Sequence, residues 1–210
     1  MTKSKVLILH GFGSSNVISS RQTPNLRAQL EAIGLDLEYP HGPNRLTPKD
    51  FPFADVHDCE AQPLWCWWHF IGEEQNDLTK MWRMFENYEG KDDIVGVIGI
   101  SQGGAVTNLI AMKGTEVFPN LKFAVGYGGF LYPSPYTAPE MTLYSDGIHI
   151  PYLTVYGEND VDVNPEASQK AHDTICKAEK GVVSHNCGHT FADDDPATVE
   201  SVVRWVKQFV

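Results

Sequence analysis

The chain has 210 residues, 42% of them hydrophobic and 20% charged, and a formal net charge of −11. That length and apolar content suit one globular domain over residues 1–210 with a sizeable core, and they exclude a disordered chain. The acidic balance argues against nucleic acid or an anionic membrane as partner, because no basic patch is present to neutralise phosphates.

The first predicted element is a buried strand, "KVLILH", bounded by Gly11. The run "VLILHGF" is too short to span a bilayer and wrongly ended for a secretory signal. "TPNLRAQLEAIG" reads as a helix: Thr23 caps it, Pro24 fits the first turn, Leu26, Leu30 and Ile33 share a face, and Gly34 stops it. "LDLEY" is a second strand. Five prolines between residues 40 and 63 predict a long loop. "DLTKMWRMFENYEG" sets Leu78, Met81, Trp82 and Phe85 at helical spacing. "IVGVIGI" is a buried strand followed at once by the helix "QGGAVTNLIAMK". "KFAVGYGGF", "PYLTVYG" and "GVVSH" are further strands, and "PEASQKAHDTICKAEK" and "PATVESVVRWVKQF" are helices. Apolar strands alternating with helices predict a mostly parallel sheet covered on both faces, an α/β architecture.

Ser101 sits where an apolar strand stops and a helix starts. A serine there is commonly a helix N-cap. The pattern Gly99-x-Ser101-x-Gly103 instead describes a nucleophile elbow, a strand-to-helix turn tight enough to exclude side chains at the flanking glycines. Backbone N–H groups at the helix start then point at the space above the serine, where an oxyanion develops.

A serine nucleophile needs a base, and the base needs an orienting carboxylate. Downstream, "LTVYGENDVDVNP" carries Asp160 and Asp162 past a strand end, and "VVSHNCGHTF" carries His185 and His189. Loop position favours Asp160, since Asp162 also suits a turn or a cap for the helix near Pro165. His189 follows Gly188 in the loop, whereas His185 still ends a strand. His149 and His172 read as loop and helix-surface residues, and His10 as a buried residue shaping the first turn. "HGFGSS" supplies a second oxyanion donor, so Phe12 and Gln102 are the expected N–H pair.

"PLWCWWHF" groups Trp65, Trp67 and Trp68 beside Phe70. Such a cluster commonly pins a loop to the core. Its functional reading makes Trp67 and Trp68 substrate-binding walls of an apolar acyl pocket. "FLYPSPYTAPEMTLYSDGIHI" reads as a partial lid, a second wall or a surface loop. The four cysteines (Cys59, Cys66, Cys176 and Cys187) form no C-x-x-C pair. A zinc site is therefore not expected, and reduced thiols point to a cytoplasmic setting.

"LHGFGSS", "WWHF", "GISQGGA", "YGENDVDV" and "HNCGHTF" together resemble the fungal FSH-type serine hydrolases, a branch of the α/β-hydrolases. The resemblance covers most of the chain. It implies hydrolysis of a carboxylic ester or thioester by Ser101, Asp160 and His189, without metal or organic cofactor. Some fungal relatives are thioesterases that release polyketide chains, so the implied partner is a small-molecule ester or thioester, or an acyl chain borne on a carrier protein. The opposing expectation is a binding module that keeps the fold without turnover.

Overall fold

Alternation along the strands decides the architecture. In β1 (Lys5–Leu9), Val6 and Ile8 enter one core and Leu7 and Leu9 the other, so the strand is apolar on both faces. Such a strand is stable only inside a sheet covered on both sides. The computed structural model describes residues 4–47, 50, 63–72, 75–132 and 147–210. Within them β1 pairs with β2 (Asp36–Glu38) on one side and β5 (Ile94–Ile100) on the other. The sheet continues through β6 (Phe123–Tyr127), β7 (Tyr152–Gly157) and β8 (Lys180–His185). Its order is β2-β1-β5-β6-β7-β8, with every pair parallel. A separate antiparallel pair joins β3 (Asn44–Arg45), inside the proline-rich stretch of residues 40–63 expected to be loop, to β4 (Trp65–Cys66) just beyond it.

Helices cover both faces. Leu26 and Leu30 of α2 (Pro24–Ala32) pack with Val199, Val202 and Val206 of the last helix, α6 (Pro196–Val206), on the Val6 and Ile8 side. On the other side Met81 and Phe85 of α3 (Thr79–Glu86) pack with Val106, Leu109 and Ile110 of α4 (Gln102–Lys113). Each fully buried side chain of this size contributes about 1.5–3 kcal/mol of transfer free energy. α5 (Pro165–Ile175) lays Ile175 against Ala124 and Tyr152.

Two helix starts differ from the sequence expectation. Thr23 occupies the N-cap of α2 without a side-chain capping bond; its hydroxyl donates to the Ser19 carbonyl at 2.8 Å. The cap comes from Asp193, whose carboxylate accepts from the Asn25 and Leu26 N–H groups at 2.9 and 2.8 Å. A short helix, α1 (Asn16–Gln22), precedes α2 and is capped by Ser15. At α5 the capping side chain is Asn164, not Asp162. His172, expected at a helix surface, is buried against Thr154 Oγ1 at 2.8 Å, because its face of α5 turns toward β7. No helix among the described residues is long and apolar enough to cross a membrane.

The chain leaves β1 toward the face carrying α2, and leaves β5 toward the opposite face carrying α4. The loops after these neighbouring strands therefore part above the sheet. This opens a crevice at the strands' C-terminal ends, the usual place for a site in an open α/β sheet.

Candidate active site

Ser101 stands in that crevice with φ 57° and ψ −121°. A positive φ of this kind costs a non-glycine residue on the order of 1–3 kcal/mol. Two bonds hold it there. Its N–H donates to the Tyr127 carbonyl and its carbonyl accepts from Ala105 N–H, both at 2.9 Å. The flanking glycines are required by close approach. A Cβ on Gly99 would lie 2.2 Å from the Gly103 carbonyl oxygen, and one on Gly103 would lie 2.3 Å from that of Leu9. Ser101 makes no side-chain cap of α4, so the ordinary N-cap role is not the one it plays.

Asp160 and His189 meet beside it. Asp160 follows β7 and is 5% exposed; His189 follows β8. His189 Nδ1 donates to Asp160 Oδ2 at 2.6 Å. That bond leaves Nε2 with its lone pair. The other Asp160 oxygen accepts the N–H groups of Asp162 and Val163, both at 2.9 Å. Gly128 backs the pair closely: a Cβ there would lie 3.2 Å from both Asp160 Oδ2 and His189 Cε1. His185 is buried at the end of β8 and lies outside this pair; burial lowers its pKa.

Ser101 and His189 share the wall of a cleft of about 440 Å³ with Gly11, Phe12, Ser14 and Asp162. A second cleft, about 430 Å³, also reaches Ser101 and Asp162; its apolar wall is Phe70, Phe130, Val163 and Ala167. Two spaces thus converge on one serine.

Asp160, Asp162 and His189 each offer one ligand atom, all within 4.8 Å of one another. Asp160 spends both oxygens on His189 and two backbone N–H groups, so the arrangement is that of an oriented imidazole before that of a metal cage.

The residues around Phe12 and Gln102 are more interlocked than their sequence suggests. Gln102 is fully buried and its side chain bonds two backbone groups: Oε1 accepts Trp67 N–H at 2.9 Å, and Nε2 donates to the Trp68 carbonyl at 2.8 Å. His10 is buried too, donating from Nδ1 to the Gly11 carbonyl at 2.7 Å and accepting Gly42 N–H on Nε2 at 2.8 Å. Desolvation is the main cause that pushes its pKa down to about 4.

Trp67 and Trp68 lie behind the clefts. They are 0% and 1% exposed and line neither space. Trp67 stacks on Phe85 and lies tilted against His10, and Trp68 meets Phe70 and Phe130 edge-on, with ring centroids 5.9 and 6.4 Å apart. The expected tryptophan wall is therefore a second layer, and the smaller phenylalanines face the cleft. Phe70 was visible in the sequence as a neighbour of the cluster. Phe130 opens the aromatic, proline-rich segment read as a partial lid, second wall or surface loop, and it lines the second cleft. Of the segment expected as lid or wall, residues 133–146 lie outside the described part, as does Cys59. Cys66 and Cys176 are buried free thiols, and Cys187 is a free thiol of intermediate exposure.

Residues 1–200 match the family model described as "Serine hydrolase (FSH1)". The chain is 28% identical over 230 aligned residues to "Family of serine hydrolases 2" of Saccharomyces cerevisiae, covering 99% of each protein. Among solved structures it resembles esterase PE8, with a TM-score of 0.63 at 18% identity over 100% of this chain and 94% of that one. It also resembles acyl-protein thioesterase 2 of Zea mays, with a TM-score of 0.57 at 21% identity over 99% and 94% of the two chains. The fold is thus that of the α/β-hydrolase esterases. With its matched length and the serine elbow, the chain belongs to the FSH1 serine hydrolase family and is a serine hydrolase.

Proposed function

We propose that the enzyme cleaves a carboxylic ester or thioester bearing an apolar, uncharged acyl group, through an acyl-enzyme on Ser101. The observation that carries the reading is Ser101 held in a strained elbow beside a His189 whose Nδ1 is tied to a buried carboxylate. His189 Nε2 takes the proton from Ser101 Oγ as that oxygen bonds to the acyl carbon. The carbonyl electrons move to oxygen, and the oxyanion is held by the N–H groups of Phe12 and Gln102. The Gln102 N–H begins α4. An amide at the first helical position has no acceptor within the helix, which suits it to the task. Collapse returns the proton from His189 to the departing alcohol or thiol. Water, deprotonated by His189, then attacks the acyl-enzyme, and Ser101 leaves as the free acid forms.

The substrate class derives from the two clefts. Phe70, Phe130, Val163 and Ala167 suit an acyl chain, and the space beside Phe12 and Ser14 suits the leaving group. The Asp162 carboxylate borders both. It opposes a second negative charge on either side. The chain's net charge of −11 acts in the same direction. Trp67 and Trp68 serve the acyl site from behind its phenylalanine wall.

A fluorophosphonate probe with subsequent peptide mapping tests the mechanism. It is expected to label Ser101 alone, and Ser101→Ala is expected to lose labelling and turnover together. Label on Ser14, or an alanine variant at parental activity, overturns the assignment. Parallel assays with p-nitrophenyl butyrate and the equally uncharged S-(4-nitrophenyl) thiobutyrate separate ester from thioester preference.

A further inference from the structure

We infer that residues 65–68, clamped by the side chain of Gln102, form a positioning brace that fixes the spacing between the two oxyanion donors. The inference rests on the proposed function, because it takes the Phe12 and Gln102 N–H groups as those donors.

The sheet alone does not set that spacing. The β1–β5 ladder ends at the pair Leu9–Gly99, before either donor. Beyond it the Phe12 loop and the head of α4 meet at Gly103, which lies against the Leu9 and His10 carbonyls, two residues short of Phe12. Residues 65–68 bridge them. Gly13 N–H donates to the Trp65 carbonyl at 3.1 Å, and Trp65 N–H donates to the Ser14 carbonyl at 2.8 Å. On the other side of Phe12, the Trp67 indole Nε1–H donates to the His10 carbonyl at 2.8 Å. The loop is therefore held on both sides of the donor residue. The same segment is tied to Gln102 by the two carboxamide bonds, Trp67 N–H to Oε1 and Nε2–H to the Trp68 carbonyl.

This arrangement gives a reason for glutamine at this position. Any residue except proline supplies a backbone N–H. A buried side chain with one acceptor and one donor, facing one backbone donor and one backbone acceptor, is a carboxamide acting as a peptide group. Asparagine is one methylene shorter. The brace has its own support at the far side: Asn44 Nδ2 donates to the Trp67 carbonyl at 3.0 Å, and Gly42 donates to His10. Because these groups are buried and paired, they hold one geometry.

A shift of about 1 Å in a catalytic group costs up to about 100-fold in rate. Gln102→Met keeps chain length and the backbone N–H but removes both clamp bonds. Trp67→Phe keeps an aromatic ring beside His10 but removes the indole bond. Each variant is assayed on p-nitrophenyl butyrate, and for inhibition by a butyl trifluoromethyl ketone, which adds to the serine and forms an oxyanion. Thermal melts establish that the protein is folded at the assay temperature.

The brace predicts a fall in kcat of about 10- to 100-fold, a matching loss of ketone affinity, and an unchanged KM and acid limb of the pH profile. Folded variants with parental kcat and ketone affinity overturn it, whatever their melting temperatures. A fall in kcat without loss of ketone affinity overturns it as well. If Gln102→Met does not fold, Trp67→Phe decides by the same readouts. Failure of the underlying function looks different: the parent itself then binds no ketone, or Ser101→Ala keeps its turnover.

Discussion

Replacing Asp160 by asparagine removes a charge while keeping the shape, and the hydrogen bonds around it predict the consequence. Asp160 Oδ1 accepts two backbone N–H groups, from Asp162 and Val163, so the asparagine oxygen is drawn to that side. Its NH₂ then faces His189 Nδ1, where the carboxylate accepted a bond at 2.6 Å. Two donors cannot share that contact, so the imidazole moves its proton to Nε2. An N–H then faces Ser101 where a lone pair is needed. For a serine–histidine–aspartate set this tautomer trap costs about 10⁴ in kcat, or about 5.5 kcal/mol of barrier. The assay is kcat on p-nitrophenyl butyrate, with circular dichroism to confirm folding. Asp162→Asn is the control and stays within a few-fold, because Asp162 serves Asp160 through its backbone N–H. An Asp160→Asn variant within tenfold of the parent, or a larger loss in Asp162→Asn, refutes the reasoning.

Gly103→Ala places a Cβ 2.3 Å from the Leu9 carbonyl and 2.5 Å from that of His10, both main-chain atoms that move only with β1. Thermal melts are expected to fall by several degrees, with activity lost beyond what unfolding explains. Phe130→Ala is expected to flatten the dependence of kcat/KM on acyl length across a C2 to C8 ester series, because Phe130 lines the apolar cleft. Each methylene buried there contributes up to about 0.8 kcal/mol. Trp68→Phe is expected to lower the melting temperature and leave that slope intact; the opposite pattern returns the tryptophan to the wall. Stability is expected to decline in mild acid. Burial lowers the folded-state pKa of His10 to about 4. The unfolded chain keeps the ordinary value of about 6.5. The His10 contribution is therefore whole above about pH 6.5 and lost as pH falls toward 4, about 3 kcal/mol in full. His41, His172 and His185 are shifted the same way by burial. Urea unfolding at pH 7 and pH 5 measures the difference, and equal stabilities at the two values contradict a buried neutral His10.

Short-range sterics made part of this protein legible in one dimension. Gly99 is clash-limited by the Gly103 carbonyl only four positions on, so that half of the elbow is written locally, whereas Gly103 is limited by the Leu9 and His10 carbonyls that the neighbouring strand brings. The strands announced themselves because a doubly covered sheet requires unbroken apolar runs, as in β5, where every residue is buried. The pairing of Asp160 with His189 could be anticipated because parallel strands deliver their trailing loops to one sheet edge. What the tertiary structure decided depends on partners far apart in the chain. Asp193 caps α2 across 168 positions, displacing the local candidate Thr23, because a buried carboxylate brought by the fold reaches two amide hydrogens at once. His172 lies inside because of which way α5 rolls against β7. The clustered tryptophans Trp67 and Trp68 read both as core and as pocket wall, since whether an indole lines a cleft or backs it depends on what packs in front. Here Phe70 and Phe130 do. Gln102 shows the same division. Its position after the serine marked its backbone N–H, while the use of its side chain emerged only when residues 67 and 68, more than thirty positions earlier, came within hydrogen-bonding reach.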